Sequence, residues 1–191
     1  MQQTLVVMVK LPRVGQVKTR LGRDIGHVLA AWWFRHQVAG LLRRLRDPRW
    51  QIVLAVAPDA DGLRCRVWPA DLPRRPQGRG DLGARMARAL RSVVGPVCLI
   101  GADIPAVRPV HLSRAFAELR RHDVVLGPAT DGGFWLIGCA PQRGLPPGAF
   151  DKVLWSTEQA LSGTLATLSD RRVALVDTLS DVDTAADLPK V

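Results

Sequence analysis

Apolar runs that alternate with longer, helix-like stretches restrict this chain more than any other feature. Leu5-Val-Val-Met-Val9, Ile52-Val-Leu-Ala-Val-Ala57 and Val97-Cys-Leu-Ile100 contain no charged side chain. A strand with one wetted face alternates apolar and polar residues, whereas an unbroken apolar run is covered on both faces. Such strands separated by helices predict an α/β fold of three layers, α/β/α, around a mixed, mostly parallel sheet. The expected strands are Thr4 to Lys10, Gln51 to Ala57, a short Cys65 to Trp68, Val97 to Ala102, Asp123 to Leu126, Phe134 to Cys139 and Val173 to Val176.

The segments between them supply the helices. Asp24 is placed to cap a helix that runs to about Arg46, with an apolar face of Val28, Leu29, Trp32, Val38, Leu41, Leu42 and Leu45, stopped by Asp47-Pro48. Further helices are expected over Asp81 to Val94, after Pro109 and over Thr157 to Leu168. Residues 11 to 22 and the Pro-, Arg- and Gly-rich residues 69 to 80 read as loops. The 191 residues, 47% apolar, suit one domain spanning positions 1–191. No apolar run approaches the roughly 20 residues of a membrane span, and the N-terminus lacks the features of a signal peptide, so a cytoplasmic protein is expected. Cys65, Cys98 and Cys139 are scattered and fit small apolar residues in a reducing compartment.

In a parallel sheet, ligands bind beyond the carboxyl ends of the strands, where the strand order reverses. That rule selects the loops after Lys10, Ala57, Ala102 and Val176, which carry Lys18 and Arg20, Asp59 and Asp61, Asp103, and Asp181 with Asp183. The first loop, Lys10-Leu-Pro-Arg-Val-Gly-Gln-Val-Lys-Thr-Arg-Leu-Gly22, combines glycines with Lys18 and Arg20 and reads as a phosphate cradle. It is not a Walker A loop. Gly101-Ala-Asp-Ile-Pro105 places Asp103 at a strand end, where a carboxylate can hold Mg²⁺ or Mn²⁺ or can cap the following turn. Asp181-Val-Asp-Thr184 offers alternate carboxylates that can share that metal or begin a helix. Thr130-Asp-Gly-Gly133 reads as a turn between strands, and Ser156 or Thr157 as a helix cap.

Two patterns mislead. Gly78-Arg-Gly-Asp-Leu-Gly83 matches a dinucleotide fingerprint literally, but the preceding Leu72-Pro-Arg-Arg-Pro-Gln77 cannot be a buried central strand. The net charge of +10 raises nucleic-acid binding. The arginines are spread along the chain and there is no tyrosine, so no stacking platform for bases is evident and specific nucleic-acid binding is not expected. His27, His36, His111 and His122 form no triad.

Taken in order, Lys10-Leu-Pro12, Val17-Lys-Thr-Arg-Leu21, Gln77-Gly-Arg-Gly-Asp-Leu-Gly-Ala-Arg-Met86, Gly101-Ala-Asp-Ile-Pro105, Leu126-Gly-Pro-Ala-Thr-Asp-Gly-Gly133, Trp155-Ser-Thr157 and Asp181-Val-Asp-Thr184 resemble one family. It is the DUF2064 group of bacterial GT-A-type glycosyltransferases, related to the guanylyltransferases of coenzyme F420 and molybdenum-cofactor synthesis. The resemblance implies a nucleotide-diphospho-sugar transferase-like fold. It implies nucleotide binding by Leu11, Pro12, Gly15, Lys18, Arg20, Gln77, Gly78, Asp81 and Arg85, and a Mg²⁺ or Mn²⁺ ion on Asp103, Asp181 and Asp183. It implies that Thr130, Asp131, Gly132, Gly133, Trp155 and Ser156 face the sugar or acceptor. Phe134 and Trp135 stand where the family usually has tyrosine.

The expectation is a metal-dependent transferase using a nucleotide-activated sugar, with Lys18 and Asp103 carrying catalysis and no evident general base. One rival is a nucleotidyltransferase that condenses a nucleoside triphosphate with a small phosphorylated acid. Another is a non-catalytic nucleotide- or RNA-binding module, which predicts steeply salt-dependent binding and no metal requirement. Nucleobase, sugar, acceptor and oligomeric state are open at this level.

Overall fold

The computed structural model describes residues 1–142 and 144–188. Its strands are β1 (Gln3–Lys10), β2 (Trp50–Ala57), β3 (Arg74–Pro76), β4 (Val97–Ile100), β5 (Val124–Pro128), β6 (Phe134–Cys139) and β7 (Val173–Leu175). They form one sheet in the order β3-β2-β1-β4-β6-β5-β7. Every neighbouring pair is parallel except the two made by β6. The mixed, mostly parallel sheet is therefore as the apolar runs require.

Side chains alternate across β1 into two cores. Leu5, Val7 and Val9 enter one, where α2 (His27–Arg44) and α5 (Pro109–Glu118) supply Phe34, Val38, Leu41, Leu42, Leu112 and Phe116. Val6 enters the other, with Met86, Ala87 and Leu90 from α4 (Leu82–Arg91) and Ala160 from α6 (Ala160–Ala166). Two covered faces explain why the central strands contain so few polar residues.

The chain leaves β1 for β2 and β3 on one side, then crosses to β4 on the other. Strand order therefore reverses between β1 and β4, and the crevice past their carboxyl ends is the expected ligand position.

The structure corrects three readings of the sequence. Cys65 to Trp68 is not a strand. The guanidinium of Arg74 donates to the carbonyls of Leu63, Cys65 and Trp68 at 3.1, 2.6 and 3.1 Å, so these groups are used outside any ladder. The third strand is instead Arg74–Pro76, inside the stretch read as loop. Among the described residues it pairs with β2 alone, and such an edge position tolerates Pro76.

The first helix is two. α1 (Thr19–Ile25) starts within the expected loop, and Gly26, at φ 90°, ends it and begins α2. Asp24 caps neither helix; its carboxylate accepts from the Ala185 amide at 2.9 Å. The third correction concerns the apolar face of α2. Val38, Leu41, Leu42 and Leu45 are buried, but Val28, Leu29 and Trp32 are 67%, 57% and 60% exposed. The small Ala30 and Ala31 take the buried positions, with Phe34 one turn later.

Candidate metal and phosphate site

The loop after β1 returns through Val17, which is buried, to Lys18, whose backbone is left-handed at φ 46°, ψ 50°. A non-glycine residue there is strained by roughly 1–3 kcal/mol, and such strain gathers at functional loops. The bend directs Lys18 toward the end of β4. Its side chain is only 7% exposed, and Nζ lies 2.5 Å from Asp103, 2.9 Å from Asp183 and 4.0 Å from Asp181. Arg20 reaches Asp183 from the solvent side at 2.8 Å.

The two C-terminal aspartates arrive by a different route. After β7 the chain follows the end of β5, where Leu179 bridges to Ala129 and the Leu179 amide donates to Pro128. Trp135 Nε1 donates to the Asp177 carbonyl at 2.8 Å, and the Val182 amide donates to the Asp103 carbonyl at 3.1 Å. Asp187 then accepts from the amides of Asp183 and Thr184 and from the Thr184 hydroxyl, capping a 3₁₀ turn at Ala185–Asp187. The acidic tail thus divides its work. Asp187 caps, while Asp181 and Asp183 join Asp103.

One carboxylate oxygen from each of Asp103, Asp181 and Asp183 lies within 4.8 Å of the others, and all three residues are half-buried. Hard oxygen donors grouped in this way suit Mg²⁺ or Mn²⁺. Electrostatics point the same way. Burial, with the charges of Asp103, Asp183 and Asp131, raises the Asp181 carboxyl to about 6, although Lys18 opposes this. A cation among the three would relieve that repulsion. Burial also works to raise Asp183, but hydrogen bonds and charge from Lys18 and Arg20 overcome it and hold this carboxyl below its usual range. Burial disfavours the charged form of Lys18, yet Asp103 and Asp183 outweigh it and keep the ammonium firmly protonated.

These shifts have opposite consequences for stability. The Asp181 carboxyl titrates higher in the fold than its free value of 3.8, so protons bind the folded form better. Its contribution in metal-free protein is fully present below about pH 4 and is lost as pH rises toward about 6. Asp181→Asn is expected to remove this slope and raise the neutral-pH melting temperature above that of the parent; melts across this range check it. Asp183 acts in reverse, losing its contribution as pH falls below the ordinary carboxylate range.

A cleft of about 960 Å³ opens over this cluster. Of the residues singled out in the sequence, Lys18, Arg20, Gln77, Asp81, Arg85, Asp103, Asp131, Gly133, Trp155, Ser156, Asp181 and Asp183 line it. Leu11 is buried, and its amide donates to the Ala57 carbonyl at 2.8 Å, while Pro12 and Gly15 lie elsewhere on the loop. The Gln77 amide is spent on the carbonyls of Val9 and Ala55, so it ties β1 to β2 behind the cleft. Gly78 donates to Asp59, and Asp61 pairs with Arg13. Asp81 caps α4 through the Ala84 amide. Thr130 bonds to Ser180.

Sequence reasoning did not find Phe34, Gln16, Phe134 or Glu158 as lining residues. Phe34 lies within the long helix expected from sequence but outside its expected apolar face, and nothing local marks Glu158. Gly132 stays behind the wall. It sits at φ 84°, and a Cβ would come within 2.4 Å of the Glu158 carbonyl oxygen. Gly132→Ala therefore combines backbone strain with a clash against main chain, and a loss of about 2–4 kcal/mol in chemical denaturation is expected.

The comparisons with known proteins bear on this geometry. Residues 41–157 match the family DUF2064, described as an uncharacterized protein conserved in bacteria. The chain belongs to that family. The matched span contains Asp103 and Trp155 but neither Lys18 nor the acidic tail. No curated protein matches the chain. A candidate nucleotide-diphospho-sugar transferase from Desulfovibrio desulfuricans G20 is 29% identical, with a TM-score of 0.86 over 96% of this DUF2064 chain and 84% of its own. 4-Diphosphocytidyl-2C-methyl-D-erythritol synthase from Anaerococcus prevotii DSM 20548 shares 9% identity and a TM-score of 0.61, covering 97% and 92% of the two chains. Rv0371c from Mycobacterium tuberculosis H37Rv, solved with manganese, shares 18% identity and a TM-score of 0.56, covering 98% and 96%. The DUF2064 chain therefore has a nucleotide-diphospho-sugar transferase-like fold. Among its described residues, no helix is long and apolar enough to cross a membrane.

Proposed function

We propose that this protein is a divalent-metal-dependent transferase acting on a nucleotide-activated sugar. One observation supports this most: a buried lysine and three carboxylates from three separate segments converge where the strand order reverses, beneath a cleft large enough for such a donor. Asp103, Asp181 and Asp183 would hold Mg²⁺ or Mn²⁺. Bound there, the ion supplies charge neutralisation for a diphosphate leaving group.

The remaining work belongs to the chain. Lys18 and Arg20, paired with the carboxylates in the metal-free site, would supply positive charge to the phosphate oxygens of a bound donor. Arg85, on α4, faces the same cleft. Trp155 and Phe134, in edge contact with ring centroids 6.2 Å apart, form an aromatic wall. With Asp131 and Ser156 they would orient the sugar or acceptor. Catalysis in such a site is positioning and electrostatics.

The test is a panel of nucleotide-sugars and nucleoside triphosphates assayed with Mn²⁺ and Mg²⁺. Metal-dependent release of a nucleoside diphosphate from a nucleotide-sugar supports glycosyl transfer. Pyrophosphate release from a triphosphate with an acceptor would replace it with nucleotidyl transfer.

A further inference from the structure

The N-terminal half of α2 presents three large apolar side chains to solvent within two turns. Val28, Leu29 and Trp32 are each more than half exposed. They share one side with Arg35, His36, Ala39 and Arg43, also exposed. At 3.6 residues per turn, these seven positions fall within about 120° of arc along roughly 22 Å of helix. The apolar residues occupy the N-terminal half and the cations the C-terminal half. The His36 ring lies against Trp32, with centroids 4.0 Å apart, and keeps the indole at the surface.

The charges around this strip are one-sided. The sequence of α2 contains no acidic residue. Arg23, exposed in the last turn of α1, adds a further cation. Two carboxylates lie at this end of the helix, Asp24, which accepts from the Ala185 amide, and Asp187, which accepts from Thr184, and the cations of the strip outnumber them. The whole chain carries +10.

We propose that this face of α2 docks the protein on an anionic membrane surface. Trp32, Leu29 and Val28 enter the boundary between headgroups and acyl chains, and Arg23, Arg35 and Arg43 pair with lipid phosphates. Three projecting apolar side chains make a small patch beside the roughly 800 Å² per partner, matched in shape, of a standard protein interface. A bilayer demands no such match and accepts an apolar wedge flanked by cations. Trp32 with its polar ring nitrogen suits that boundary. A second copy of this chain is disfavoured, because each copy carries a net charge of +10.

The test uses the full chain and vesicles of equimolar phosphatidylglycerol and phosphatidylcholine at low salt. Flotation should carry the protein with these vesicles and leave it behind with phosphatidylcholine alone. Val28→Ser/Leu29→Ser/Trp32→Ser should lower partitioning by about tenfold or more, because the apolar wedge is gone. Arg35→Gln/Arg43→Gln should lower it less and flatten its salt dependence. Melting temperatures should stay at the parent value, and Trp32→Gln alone serves if the triple variant does not. Three results overturn the proposal: no partitioning of the parent chain, equal partitioning of the triple variant, or a concentration-dependent dimer abolished by the triple variant.

Discussion

Asp103→Asn is expected to abolish measurable Mn²⁺ binding and to lower turnover on the donor by roughly 10²–10³-fold, the usual cost of removing one preorganised electrostatic group. Three features make Asp103 the most sensitive of the triad. It stands directly beyond β4, the strand beside the reversal point, so its position is fixed by the sheet. Its carbonyl accepts from Val182, which anchors the tail carrying the other two aspartates. It is also the nearest carboxylate to Lys18. The amide retains the shape and leaves that main-chain bond intact, so the fold should survive. Manganese titration by paramagnetic resonance and initial-rate assays, with a melt as control, read the outcome. An Asn variant that binds Mn²⁺ and turns over like the parent would show that the cluster holds no catalytic metal.

The central architecture was legible because burial on both faces leaves a mark in composition. The central runs of β1, β2 and β4, Leu5 to Val9, Ile52 to Ala57 and Val97 to Ile100, are apolar, as a sheet covered on both faces requires. β3 was not legible, because an edge strand bonded on one side needs neither apolar residues nor a full set of donors, as Arg74 and Pro76 show. The break at Gly26 and the outward turn of Trp32 were hidden for a related reason. Periodicity identifies an apolar stripe but not which part of it finds a partner, and here the alanines met the core.

The site divides along the same line. Lys18 and Asp103 follow strands whose ends are fixed by the ladder, so topology alone points to them. Asp181 and Asp183 were selected by the same rule and as alternate carboxylates, but their convergence depends on contacts between segments far apart in sequence: Trp135 with Asp177, Ala129 with Leu179 and Val182 with Asp103. Asp187, a further carboxylate in the same run, is a cap, and only three-dimensional contacts separate it from its neighbours. Phe34 and Glu158 reach the cleft from elements whose local pattern speaks only of helix and turn.

Lys18→Met is expected to move metal and phosphate affinity in opposite directions. The ammonium lies among the three carboxylates at 2.5, 2.9 and 4.0 Å, so it is already their counter-ion. A divalent cation entering that space meets a like charge at close range, where repulsion in a partly buried setting is far stronger than in bulk water. Removing the charge should tighten Mn²⁺ binding in the absence of nucleotide by about tenfold or more. The same change removes a cation from the phosphate end of the cleft, so a nucleoside diphosphate should bind at least about tenfold more weakly. Arg20→Met is the control. Arg20 is 62% exposed and, among the described residues, pairs with Asp183 alone, so its loss should shift Mn²⁺ affinity much less. Calorimetric titration of Mn²⁺ into the parent and both variants, repeated with nucleoside diphosphate, separates the two effects. Equal Mn²⁺ affinity in parent and Lys18→Met would mean that the ammonium and the metal do not compete. A gain in metal binding coupled to a loss in phosphate binding means that Lys18 belongs to both sites. It is then released from the carboxylates to the phosphates as the metal enters.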